Sequence, residues 1–135
     1  MEWAHDVNAG CAYAVMTFLV GFGLGTLPVL LVAPHLGATL AVSLEAPVML
    51  VVSWYLSRRC TERFDVQQAL GPRVLMGTVA FLVLIAAEIG VSVFVFGQSL
   101  AAHFANYRSL PGVIGLAAQL AFASFPILQG IRSRV

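Results

Sequence analysis

Apolar residues run almost unbroken through four windows of this chain, residues 10–33, 36–57, 74–97 and 111–131, and polar residues gather between them. Each window holds about the 20 predominantly apolar residues that a helix needs to cross a membrane. The pattern predicts an all-α membrane protein: a four-transmembrane-helix bundle with short loops, forming one integral membrane domain over residues 1–135. Pro34, His35 and Gly37 predict a tight first turn, and "SRRCTERFDVQQALGPR" reads as the polar connection between the middle pair. Leu100, Phe104, Tyr107 and Leu110 recur at helical spacing, which predicts a short interfacial helix between helices 3 and 4. Ser109 followed by Pro111 then marks the start of the last span.

Composition excludes the soluble alternative. With 60% hydrophobic residues, 10% charged residues and a mean hydropathy of +0.93, the chain lacks the charged surface that a soluble domain of this length needs. Its principal partner is therefore the lipid bilayer, and nothing in it predicts a nucleic-acid partner. The segment "MEWAHDVN" has no arginine and so lacks the basic start of a secretory signal, which predicts that the first span is retained. Charge also orients the bundle. Arg58, Arg59, Arg63, Arg73, Arg132 and Arg134 fall on one side of a four-span topology and only Arg108 on the other. The positive-inside rule then predicts a multi-pass protein of the cell (inner) membrane with both termini in the cytoplasm. Trp54 and Tyr55 sit near the inner end of the second span as aromatic-belt anchors.

Against this background Glu45, within "VSLEAPVMLVVSW", is out of place. Counted from the outer end of the second span it lies about nine residues deep, roughly 14 Å, near the centre of a ~30 Å hydrocarbon core. Glu88 in the third span lies about as deep, and the same count brings Gln119 of the fourth span and residues 23–26 of the first, ending at Thr26, to that layer. A carboxyl group at the membrane centre costs on the order of 3 kcal/mol on insertion scales, so something must offset it. The spans carry no basic residue at that depth. Either the acids are protonated and share hydrogen bonds with each other and Gln119, or a cation supplies the missing charge.

Helix faces support the grouping. Gly10, Ala14, Thr17, Gly21 and Gly25 form a stripe of small residues on the first span, and Gly112, Gly115, Gln119 and Ala123 form another on the fourth. Such stripes let membrane helices approach closely. Pro28, Pro47 and Pro126 interrupt spans, and each frees the carbonyl four residues earlier, at Leu24, Ser43 and Phe122. The freed Ser43 carbonyl beside Glu45 gives "LEAP" a site-like reading; the alternative is that the prolines only shape the bundle. Glu45, Glu88 and Gln119 are therefore the candidate proton- or cation-binding residues, with Ser43, Pro47, Thr26 and Ser92 in support.

Other chemistry finds little footing. Cys11 and Cys60 fall near the cytoplasmic face, where thiols stay reduced, and there is no CxxC or paired-histidine spacing, so no metal site is predicted. His35 and His103 read as interfacial residues. No HExxH, GxSxG or phosphate-loop motif is present, which argues against an enzyme, and no cofactor is expected. Two functions remain: a small proton- or cation-coupled transporter or channel, expected as a homo-oligomer, or a structural subunit of a larger membrane complex in which protonated acids act as interhelical hydrogen-bond glue.

Overall fold

The computed structural model describes residues 2–27, 37–95 and 97–134. Those residues are helical almost throughout, in five α-helices: α1 (Glu2–Leu27), α2 (Ala38–Arg63), α3 (Leu70–Gly90), α4 (Leu100–Ala105) and α5 (Leu110–Arg134). A π-helical turn (Val91–Val95) extends α3, and a 3-10 turn (Asn106–Arg108) joins α4 to α5. Among the described residues three helical stretches are long and apolar enough to cross a membrane: Trp3–Gly23, Leu70–Val95 and Gly112–Ile131.

The helices outrun the apolar windows. α1 begins at Glu2 rather than near residue 10, α2 continues to Arg63, and α3 already starts at Leu70. Hydropathy marks where lipid ends, whereas a helix continues as long as each N–H finds a carbonyl four residues back. Pro34 and His35, placed in the first turn by the sequence, lie outside the described residues, as does Pro28.

The long helices close into a ring: α1 packs on α3, α3 on α5, α5 on α2, and α2 on α1. Consecutive helices α2 and α3 therefore face each other across the bundle. Two glycines set the closest approaches. A Cβ on Gly10 of α1 would stand 2.7 Å from the Met76 carbonyl oxygen of α3, and one on Gly77 of α3 would collide with the Ala123 carbonyl of α5. Small residues admit these backbone contacts where larger ones would hold the helices apart. Around them Ala9, Tyr13, Ala14, Met76, Ala80, Leu84 and Phe122 form the buried core.

Arg73 is the principal departure from the expected surface pattern. It is only 5% exposed, and its guanidinium donates to the carbonyls of Gln67 (3.0 Å), Pro126 (3.3 Å) and Val66 (3.5 Å). It thereby ties the α2–α3 loop to α5, with the charge of Asp6 on α1 nearby. The long, always-charged fork of arginine can gather several carbonyls at once, which is why it serves here as a strut.

At the opposite end Ser99 caps α4 by accepting from the Ala102 amide, and Ser109 caps α5 by accepting from the Gly112 amide at 3.2 Å. Gly97 turns the chain with a positive φ of 67°. Ser92 is buried in the π-helical turn and donates to Gln98 Oε1 at 2.7 Å, so it serves this turn.

Candidate functional site

The site is a partly open cavity of about 320 Å³ lined by all four long helices. α1 contributes Thr17, Phe18, Gly21 and Phe22; α2 contributes Glu45, Met49 and Ser53; α3 contributes Leu84 and Glu88; α5 contributes Gly115, Gln119 and Phe122. Glu45, Glu88 and Gln119 thus line one chamber. Among the described residues no arginine or histidine lines it.

The two acids are held differently. Gln119 Nε2 donates to both carboxylate oxygens of Glu88, at 2.5 and 2.6 Å, across the α3–α5 contact. Glu45 makes no hydrogen bond or ion pair with any described residue. Among the described residues two further groups are left without a partner: Gln119 Oε1, whose amide nitrogen is already committed to Glu88, and the hydroxyl of Thr17, a residue only 5% exposed. A buried oxygen with no partner loses its hydration without compensation, a cost of about 1–3 kcal/mol. The chamber therefore presents one uncommitted carboxyl group, that of Glu45, in a largely apolar wall, and two of its lining residues, Gln119 and Thr17, each carry a buried, unpaired oxygen.

The supporting residues are distributed unevenly. Ser43 and Pro47 are exposed on α2 and do not line the chamber. Ser92 is committed to Gln98. The side chain of Thr26 lies outside the described residues. Among the described residues α1 contributes Thr17, Phe18, Gly21 and Phe22 to the chamber.

A second polar cluster lies nearer the α2–α3 loop. Tyr13 of α1 donates to the Phe122 carbonyl at 2.7 Å and stacks on the Phe122 ring at 4.1 Å between centroids. Gln129 accepts from the Ser57 hydroxyl at 2.9 Å and donates to the Trp54 carbonyl at 2.9 Å, joining α5 to α2. Nothing local in the sequence marks Tyr13, Ser57 and Gln129 as polar partners, although the freed Phe122 carbonyl is a signal that some donor has to reach it. Cys60 is buried here, and burial pushes its thiol pKa up, which keeps it an inert thiol.

On the α4 side, Tyr107 is held above its ordinary pKa by burial and by the nearby Glu88 charge, so its hydroxyl stays protonated. It lies 3.1 Å from His103 Nε2. Among the described residues no cluster of three or more histidine, cysteine or acidic side chains is placed to hold a metal ion. The chain matches no protein-family model, no curated protein and no solved structure.

Proposed function

We propose that this chain is a small, four-span proton- or cation-coupled transporter of the cell (inner) membrane, built around the Glu45–Glu88 chamber. The observation that carries the reading is a Glu45 without a partner and a Gln119-anchored Glu88 in one chamber that, among the described residues, no basic side chain lines. An acid in such a place is neutralised either by a proton or by a cation, so the two compete for the same oxygen atoms. Competition of this kind is the elementary step of coupled exchange. Glu88 and Gln119 form the fixed part of the site and Glu45 the exchanging part. In the same proposal α2 is the fourth span, both termini face the cytoplasm, α4 lies at the outer interface, and copies assemble into a homo-oligomer.

The Glu88–Gln119 bond also favours a second reading, in which the chain is a subunit of a larger membrane complex and the bond acts as glue between α3 and α5. Proton release separates the two. In the purified, reconstituted protein a transporter releases protons when candidate cations are added, and the release vanishes in Glu45→Gln or Glu88→Gln. A subunit held by hydrogen-bond glue releases none with any cation, and its variants are as stable as the parent.

A further inference from the structure

We propose that the cavity takes an organic ammonium ion bearing at least one N–H and an apolar body. The inference rests on the exchange reading above and names the class of its ligand.

Size comes first. A water molecule claims about 30 Å³ of liquid, so the chamber of about 320 Å³ has room for roughly ten waters, far more than a proton or a bare inorganic cation fills. A hard cation would also need about six oxygen ligands closing on it at ~2.4 Å. Here the oxygen-bearing side chains Thr17, Glu45, Ser53, Glu88 and Gln119 are spread over four helices, and two of them, Glu88 and Gln119, are bonded to each other. The volume instead falls at the lower end of cavities that hold small organic ligands, roughly 300–1,000 Å³.

The wall specifies the body. Phe18, Phe22, Met49, Leu84 and Phe122 present apolar and aromatic surface, which suits a hydrocarbon group and draws a cation towards ring faces. Polar groups specify the head. Glu45 supplies an uncommitted negative charge once its proton has left. Gln119 Oε1 can only accept, is buried, and has no donor among the described residues. The hydroxyl of Thr17, a residue only 5% exposed, is likewise unpaired among the described residues. A protonated primary amine gives the Glu45 carboxylate both a charge and an N–H, and has two further N–H groups for the unpaired oxygens of Gln119 and Thr17 once those buried side chains turn to the cavity; a quaternary ammonium supplies the charge alone. The exchange balances: the Glu45 carboxyl loses a proton to solvent, and the carboxylate accepts the N–H of the incoming cation.

The test is calorimetric titration of the full-length protein in detergent, in buffers of different ionisation enthalpy so that released protons are counted. The probes are phenethylammonium, its N,N,N-trimethyl analogue, sodium and calcium. The expected result is saturable phenethylammonium binding with proton release, roughly tenfold tighter than the trimethyl analogue, as the loss of hydrogen bonds to otherwise unpaired groups implies. Glu45→Gln abolishes binding, while Glu45→Asp retains it and guards against loss through misfolding. Thr17→Val, which keeps shape and removes the hydroxyl, weakens phenethylammonium severalfold and leaves the trimethyl analogue unchanged. Equal affinity for the two ammonium ions overturns the requirement for an N–H. Proton release with sodium or calcium and none with either ammonium ion overturns the inference and leaves the exchange reading standing. No proton release with any probe overturns both.

Discussion

Tyr13 on α1 donates its hydroxyl to the carbonyl of Phe122 on α5, and that carbonyl is free because Pro126, four residues on, has no N–H to offer it. A kink-forming residue and a distant donor thus form one device. In the apolar interior neither partner could turn to water instead. Tyr13→Phe removes the donor while keeping the ring stack, and should cost about 1–2 kcal/mol. Pro126→Ala restores an amide at position 126 that can take the carbonyl. The cost of Tyr13→Phe should therefore shrink in that background, a coupling readable as a double-mutant cycle of unfolding in mixed micelles.

Gln119 and Glu88 form another bond between helices, and its chemistry separates two kinds of replacement. Glu88→Gln keeps a group that can pair with the Gln119 amide and should change stability little. Gln119→Leu strands the Glu88 carboxyl and should cost about 1–3 kcal/mol, the penalty for an unsatisfied buried group. Measuring both in the same unfolding assay checks the ordering. Equal stability of the two variants would mean that the bond does not hold α3 to α5.

Close packing yields a steric prediction. Gly77→Ala places a methyl group against the Ala123 carbonyl, and rigid backbone has to move to admit it, at about 1–3 kcal/mol. Gly23→Ala is its control: a Cβ there meets nothing within 4 Å, and the change should be neutral or gain a few tenths to ~1 kcal/mol from helix propensity. Thermal unfolding of the two variants beside the parent reads the contrast.

Topology can be tested by labelling. Single cysteines at Gln68, in the α2–α3 loop, and at Ala101, on α4, are both exposed. In a background with Cys11 and Cys60 replaced by alanine, a membrane-impermeant maleimide should label Ala101→Cys in intact cells and Gln68→Cys only after the membrane is opened. Labelling of both from the same side would remove the four-span arrangement.

Much of this molecule follows from local rules that a linear chain displays openly. A run of some 20 apolar residues cannot leave its amides unpaired in lipid, so helix is imposed by the solvent, and composition alone requires it. The stripe of Gly10 and its neighbours likewise announces a close helix contact, as the approach of Gly10 to Met76 bears out. Glu45, Glu88 and Gln119 stand out because each is costly where it lies. Other features depend on which helices become neighbours, and a single sequence does not encode that in any local period. The ring order placed α2 across from α3, so Glu88 pairs with Gln119 of α5 while Glu45 is left facing the chamber. Helix tilt and offset brought Thr17 to the wall of the same chamber as the two acids. Arg73, a loop cation by every one-dimensional criterion, became an internal strut because carbonyls from two separate segments converge on it. Partner choice is a property of the packed bundle, where geometry selects among groups whose chemistry is equally suitable.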